Sequence, residues 1–600
     1  MIRPSDTSAW RPSAARSVRP WGVAVVLGLT LSACGSPRAP ATPPVPTAPA
    51  AAIEQTLSID ARAPSHAFPH FWEQTFGSGH AILALRESYR LDLRTVKQAT
   101  GLASIRFHGI LDDEVGLYDP GRRTHVPGQA PVAPLDASIY NFSYVDQIYD
   151  GLLEQGVRPY VELSFMPRKL AAVPDAAHPF WYHPNPTPPK DYAQWDDMIR
   201  ALAQHLIARY GMNEVSHWKF EVWNEPNLDF WQGLPKQSSY FQLYDHTAQA
   251  LKSASPRLQV GGPATAAAAW VSEFLAHTHR AGVPVDFVST HVYANDSVRD
   301  VLGTDERIPR EQMVCRAVAK VHAQIQRSAY PDLPLILSEF NASFANEPNI
   351  TDSDYMGPWL ANTIRLCDGL TESMAYWAFS DVFEEQGVVR TPFYGGFGLI
   401  AADHIDKPVM NAFRLLHKLG DRRIPLESDS ALATTLAPGS VALALWDYAG
   451  PSGTGPNYLP PRQPAGASRL FHLLIRNVSS NDVDIWRVDD DHGNVLKAFD
   501  AMGRPAGDLT RDQVKRLQAA ALLPAPEHAW LNQGRLDVTV PAHGLAVLII
   551  GEAAHTALAH TAPAHTADAH AAFADSPPAH SAPFAIARSV SIAQGSPAPL

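Results

Sequence analysis

Two glutamates end apolar runs that have no internal use for charge. Glu225 lies in FEVWNEPN (220–227), where an apolar strand gives way to Asn-Glu-Pro, and Glu339 follows LPLILS (333–338). Burying a carboxylate without a partner is expensive, so an acid in such a place needs a ligand, a counter-charge or solvent. Read alone, Glu225 is equally a solvated turn acid, and Glu339 equally one half of a salt bridge to Arg106. Two carboxyl groups held on different strands can also work together on one bond, one as proton donor and the other as nucleophile.

The other apolar runs end in similar groups. SIRFHGIL (104–111) carries Arg106 and His108, with Asp112, Asp113 and Glu114 beyond it. RPYVELSF (158–165) carries Glu162, and Asn224 precedes Glu225. VDFVSTHVY (285–293) ends in His291 and Tyr293, and Asn341 follows Glu339. MAYWAFSD (374–381) carries Trp377, with Asp381, Glu384 and Glu385 after it. Each has a plain structural reading as well: His108 and His291 as hydrogen-bonded core histidines, Tyr376 and Trp377 as filling, Glu162 as a structural acid. Together they put acids, amides and aromatic rings at strand ends and leave the strand interiors apolar. Rings that stack on the apolar face of a pyranose, beside carboxylates and amides that bind its hydroxyls, make a sugar pocket.

Other chemistries find less support. The chain has no CxxC, HExxH, phosphate loop or GxSxG. A net charge of -12 without a basic stripe argues against nucleic acid. A two-carboxylate mechanism requires neither metal nor organic cofactor, so none is expected.

These residues need a scaffold that brings strand ends together. Apolar runs at 70–76, 104–111, 158–165, 218–223, 258–264, 285–293, 333–340 and 374–381 alternate with amphipathic stretches. In 311–328, for example, Met313, Val314, Ala317, Val318, Val321 and Ile325 recur at helical spacing. Eight such units predict an α/β fold, a (β/α)₈ TIM barrel over 66–418, with its active site at the C-terminal strand ends. The competing doubly wound sheet usually announces itself with a Gly-rich first turn, which is missing. From 419 to 552, β-type runs separated by Gly, Pro and Asp predict a β-sandwich, which 54–65 is expected to join through EQTLSIDA.

The ends read differently. Arg11, Arg16 and Arg19 precede the short apolar run WGVAVVLGLTL and then Leu31-Ser32-Ala33-Cys34-Gly35. The run has signal-peptide proportions, and its ending resembles a bacterial lipobox, predicting a lipoprotein signal over 1–33 and lipidation at Cys34. A Pro/Ala-rich linker (34–53) would hold the body off the membrane. The expected location is the bacterial cell envelope, with the lipid as the sole membrane contact; Gly35 favours the outer membrane in a Gram-negative cell. The tail, 553–600, is low in complexity. Its His555, His560, His565 and His570 recur every five residues, about 140° apart on a helix, and share no face. Cys315 and Cys367 fall in helical stretches and read as small buried hydrophobes.

Taken together, FEVWNEPNLDFW, LSEFNAS, SIRFHGILDD, YWAFSDVFEE, PHFWEQTFGSGHAILALRESYR and FYGGFGLI resemble glycoside hydrolase family 39, the family of β-xylosidases and α-L-iduronidases, over about 66–400. The Asn-Glu-Pro turn alone is shared across a wider clan of barrel glycosidases. The resemblance implies a retaining mechanism with Glu225 as general acid/base and Glu339 as nucleophile. It implies that Asn224 binds the sugar 2-hydroxyl and Arg106 orients Glu339, while His108, His291, Tyr293, Trp377, Glu384 and Glu385 line the sugar subsite. Tyr394 stands where the family often has His, and Val292 and Ala294 depart from its frequent Thr-His-Thr-Tyr-Pro form. The function expected is an exo-acting β-xylosidase on xylooligosaccharides. Alternatives are an exopolysaccharide-cleaving, arabinopyranosidase or iduronidase member, and, in other classes, a non-catalytic carbohydrate-binding lipoprotein or a structural envelope protein. Loops 112–136 and 166–195 are the candidates for walls of a pocket or groove.

Overall fold

A computed structural model of the chain describes residues 53–121, 138–448 and 466–551. The signal peptide, Cys34, the linker, the histidine tail and most of loop 112–136 lie outside the described residues. Eight parallel strands close into a barrel in chain order: Thr75–His80, Ser104–His108, Arg158–Glu162, Lys219–Glu221, Gln259–Thr265, Phe287–Tyr293, Leu335–Asn341 and Ser373–Tyr376. The last pairs with both the seventh and the first. Each strand leads to a helix of the outer layer. One of these, Tyr192–Tyr210, is capped by Asp191, which accepts from the Ala193 N–H, and it ends at Gly211 with φ +80. Its inner stripe of Trp195, Met198, Ile199, Leu202 and Leu206 has the spacing that places side chains on one helical face.

The first strand differs from the sequence expectation. The aromatic stretch His70–Gln74 is a turn, and the strand is the Gly-rich TFGSGH that follows. Propensity points to the aromatics, but Phe68, Phe71 and Trp72 instead pack on one another, with ring centroids 5.1–6.2 Å apart. The strand needs its glycines. A Cβ on Gly77 would sit 2.1 Å from the Trp377 ring, and one on Gly79 would sit 2.4 Å from the Phe383 carbonyl.

Beside the barrel stand two further sheets. A seven-stranded antiparallel sheet includes Ser440–Trp446 and Leu545–Ile550, and its edge strands are His66–Ala67 and Glu527–Trp530. In Ser440–Trp446, Val441, Leu443 and Leu445 face the second sheet, while Ala442, Ala444 and Trp446 join the barrel core. Both faces are buried, which explains an apolar run without alternation. The second sheet has three strands, in which Ile53–Asp60 pairs in parallel with Arg469–Arg476 and Arg535–Val540 completes the set. Between these strands the chain also makes two helices, Leu496–Ala501 and Arg511–Ala520, where the sequence reading had only sandwich. Phe499, Leu517 and Ala521 pack on Phe393 and Ile405, so this insertion supports the segment after the eighth barrel strand.

The two internal cysteines are also corrected: Cys315 and Cys367 form a disulfide, not separate buried thiols. They lie on Arg310–Gln326 and Met356–Cys367, the helices after the sixth and seventh strands, which barrel closure makes neighbours. Sequence spacing could not reveal this, because 52 positions separate them. Closing a loop of that size restrains the unfolded chain by about 4 kcal/mol in the loop-entropy treatment. Reduction with dithiothreitol should therefore lower the denaturant midpoint of the folded protein, and a Cys315→Ala/Cys367→Ala variant should match the reduced form. Identical midpoints with and without reductant would show that the bridge adds no stability.

Candidate active site

The mouth of the barrel is organised around Arg106, at an inward position of the second strand and fully buried. Its Nε donates to Glu221 Oε2 at 2.6 Å, and its Nη1 donates to Glu339 Oε1 at 2.7 Å. Nη2 lies 2.8 Å from Glu162 Oε2 and donates to Asn224 Oδ1 at 3.0 Å. One guanidinium thus meets acids from the third, fourth and seventh strands. Burial disfavours its charge, but the three carboxylates outweigh that and hold it firmly protonated.

Glu339 is held at both oxygens, since the Tyr293 hydroxyl donates to Oε2 at 2.7 Å. Glu225 lies in a different environment. Burial pushes its carboxyl up to about 7, the attraction of His108 and Arg106 offsetting only part of that cost. Its contact is His291, whose Nδ1 is 3.0 Å from Oε1. Burial pulls the His291 imidazole down to about 4, so the ring is neutral near pH 7. Arg106 Nη2, which can only donate, faces His291 Nε2 at 3.4 Å. The ring hydrogen therefore belongs on Nδ1 and is donated to Glu225 Oε1, leaving Oε2 to carry the carboxyl proton. Oxygens of Glu225 and Glu339 and a nitrogen of His291 all lie within 4.8 Å of one another.

The Asn-Glu-Pro turn is shaped for this purpose. Trp223 and Glu225 have φ +71 and +39, left-handed values that cost a non-glycine residue about 1–3 kcal/mol unless the surroundings impose them. Here the Glu225 N–H donates to the Ala264 carbonyl at 2.9 Å, and Asn227 exchanges hydrogen bonds with the Ala266 backbone at 2.9 and 3.1 Å. The turn is thereby tied to the end of the fifth strand. Asn224 spends its Oδ1 on Arg106, which leaves its amide NH₂ as the donor.

On the other side, His108 Nδ1 donates to Glu162 Oε2 at 2.7 Å, and its Nε2 is 3.6 Å from Glu385 Oε1. Burial lowers the affinity of His108 for a proton, but Glu162 and Glu339 reverse this and raise its pKa. Glu385 is pushed up to about 8, chiefly by burial. The adjacent Glu384 behaves differently: both its oxygens pair with Arg86, so the two neighbours, read together from sequence, have separate roles. Trp377 lies 4.8 Å from the His108 ring and 5.8 Å from the Arg106 guanidinium carbon. Tyr394 is half-buried near Asp381, Asp352 and Glu385. Loop 166–195 crosses to meet this side. Its Phe180 ring stands 6.5 Å from His108, and its Trp181 N–H donates to the Glu385 carbonyl at 2.9 Å.

Sequence reading missed Glu221. The available signal was position: Glu221 alternates with the outward Phe220 and Val222, so it must face the lumen. Glu162, read as structural, bridges Arg106 and His108. Two triads among the described residues bring metal-type donors together, Glu225–His291–Glu339 and His70–Glu73–His417. In the first, the Arg106 guanidinium already supplies positive charge and would oppose a cation. In the second, both imidazoles are already hydrogen-bonded to Glu73 Oε1, at 2.6 and 2.8 Å.

A parallel barrel with two unequal carboxyls facing each other among aromatic rings belongs to the class of barrel glycosidases. The model for glycosyl hydrolases family 39 matches residues 55–537, and the chain belongs to that family. It is 37% identical over 479 residues to a β-xylosidase of Geobacillus stearothermophilus, covering 78% of this chain and 88% of that protein. It is 34% identical over 489 residues to a β-xylosidase of Caldicellulosiruptor saccharolyticus, covering 80% and 95%. The crystal structure of a monomeric β-xylosidase from Caulobacter crescentus CB15 superimposes with a TM-score of 0.73 at 32% identity, covering 83% of this chain and 99% of that one.

Replacing Arg106 by Met should destabilise the fold by at least about 3–5 kcal/mol, because it strands buried carboxylates without their shared cation. Chemical unfolding of the purified variant measures this. An unchanged midpoint would mean that the acids simply take up protons and that Arg106 does not hold the site together.

Proposed function

We propose that this protein is a retaining, exo-acting β-xylosidase releasing xylose from xylooligosaccharides, with Glu225 as acid/base and Glu339 as nucleophile. The observation that carries the reading is the pairing of these two carboxyls within one small site, in opposite surroundings. Carboxyl groups about 5–5.5 Å apart leave no room for a water between carboxylate and sugar, so one of them attacks the anomeric carbon directly. Glu339, between the Arg106 guanidinium and the Tyr293 hydroxyl, is held for attack. Glu225, with its carboxyl at about 7, keeps a proton for the leaving oxygen at neutral pH. Once the glycosyl–enzyme ester forms, the ionised Glu225 takes a proton from the incoming water. The amide NH₂ of Asn224, whose oxygen is taken by Arg106, donates to the sugar 2-hydroxyl, a bond that strengthens in the transition state. His108, His291, Tyr293, Trp377 and Glu385 form the sugar-facing surface.

Xylose is favoured by the relatives named above and by charge. A uronic acid needs a free cation, whereas Arg106 and Arg86 are both matched to glutamates. An iduronidase or arabinopyranosidase remains the competing reading within the family. Aryl β-xyloside, α-arabinopyranoside, β-glucoside and α-iduronide, assayed with wild type, Glu225→Ala and Glu339→Ala, should separate these readings. We expect turnover of the β-xyloside, its loss by at least about 10⁴-fold in Glu339→Ala, and rescue of Glu225→Ala by azide. The wild-type rate should fall as pH rises through about 7, where Glu225 loses its proton. Turnover that survives in Glu339→Ala would reject the mechanism, and preference for another glycoside would reject xylose.

The same proposal includes export and lipid anchorage at Cys34 in the cell envelope. Its supports are the Leu31–Cys34 motif and the Cys315–Cys367 bridge, a bond that persists mainly in oxidising compartments. No helix among the described residues is long and apolar enough to cross a membrane. Cells grown with labelled palmitate should yield a labelled protein in the membrane fraction, and Cys34→Ala should abolish both label and sedimentation. An unlabelled wild type would refute the anchor.

A further inference from the structure

Below the aromatic side of the site lies a buried charge cluster that takes no part in the chemistry above. Lys407, between the hairpin Ile400–Ala401/Ile405–Asp406 and the helix Pro408–Leu416, is fully buried. Its Nζ makes ion pairs of 2.8 Å with Asp352 Oδ1 and with Asp381 Oδ2, and it donates to the Gly396 carbonyl at 2.9 Å. The two aspartates use their other oxygens on the same short segment. Asp352 Oδ2 accepts the Gly395 N–H at 2.6 Å, and Asp381 Oδ1 accepts the Gly398 N–H at 2.7 Å. One cation and two anions therefore hold three backbone groups within four residues.

The segment has been cut to fit. A Cβ on Gly396 would stand 2.4 Å from Asp381 Oδ1, and one on Gly398 would stand 2.4 Å from the Asp381 nitrogen. Gly395 has φ +86. The glycines of FYGGFGL thus let backbone wrap directly onto carboxylates, an approach that any side chain would block.

What the segment carries is Phe397. Its ring lies 5.5 Å from Phe383, which lies 5.6 Å edge-on from Trp377, and Tyr293 completes the same buried cluster. The backbone link is more direct: the Phe397 carbonyl accepts the N–H of Ala378 at 3.0 Å, the residue after Trp377. Fixing residues 395–398 therefore fixes both the ring behind Trp377 and the peptide that aims it. Aromatic packing alone is non-directional, whereas a buried cation bonded to two carboxylates and a carbonyl admits few arrangements.

We propose that Lys407, with Asp352 and Asp381, is a positioning device for the sugar-stacking wall, setting Trp377 through Phe397 without touching the sugar. The inference rests on the glycosidase reading for its consequence but not for its mechanics, so the two are tested separately. Asp352→Asn is nearly isosteric and removes one charge. Lys407→Met leaves two acids unpaired and is the harsher variant, for which Lys407→Arg restores the charge. Hydrogen exchange of the full-length protein reads the mechanics without any substrate. In Asp352→Asn, peptides covering 376–383 should exchange faster together with those covering 393–399. Kinetics on the aryl glycoside that wild type cleaves best read the consequence. KM should rise about tenfold with kcat within about threefold, the pattern of lost binding common to ground and transition states. Lys407→Arg should reverse most of the rise in KM seen in Lys407→Met. Faster exchange confined to 393–399, or an unchanged KM in a folded Asp352→Asn protein, would overturn the proposal and leave the cluster a purely structural ion pair. A wild type inert on every glycoside would sink the glycosidase reading, and exchange in 376–383 would then decide the positioning role alone.

Discussion

The guanidinium of Arg106, sealed from solvent beneath the barrel mouth, sets the terms for everything around it. A buried cation must be matched, and Glu162, Glu221 and Glu339 converge on it from three strands. Removing any one partner leaves the rest mismatched, a cost that far exceeds the net worth of the completed set. The cluster thus constrains strand register, because the second, third, fourth and seventh strands must bring four charged side chains into contact. It also divides the two carboxyls of the site. Glu339 is bonded directly to the cation, whereas Glu225 is one residue removed, against a neutral His291, where burial favours its protonated form.

The surrounding scaffold keeps this centre buried. Glycines at 77 and 79 thin the first strand so that Trp377 and the chain at Phe383 can lie across it. Left-handed backbone at Trp223 and Glu225 is tolerated because the fifth strand grips the turn. The seven-stranded sheet presses one face against the barrel helices and gives the other to the three-stranded sheet, and the helical insertion supports the segment after the eighth strand. Each layer holds the next, and a second buried charge cluster, at Lys407, does for the aromatic wall what Arg106 does for the acids.

Much of this was legible from residue order. Eight apolar runs separated by helical stretches, six of them leading to acids, histidines, amides or aromatic rings, predict a barrel with its chemistry at one rim. The polar positions so picked out include both carboxyls and the two histidines. Where reading failed, local propensity was overruled by distant atoms. His70–Gln74 has better strand residues than TFGSGH, but Gly77 is required by Trp377, about three hundred residues away, and Gly79 by the backbone at Phe383. Glu384 and Glu385 are chemically identical neighbours, separated only by which of them meets Arg86.

Sequence by itself determined the class of fold, the rim on which the chemistry collects and the identity of the paired acids, because periodicity and strand-end chemistry are local properties. Tertiary structure alone decided the raised proton affinity of Glu225, the sharing of Arg106 among three carboxylates, the Cys315–Cys367 bridge and the clamp at Lys407. Each of these is a relation between groups far apart in the chain. Coulomb and desolvation energies depend on distance in space, and no spacing along the chain encodes that until the barrel closes.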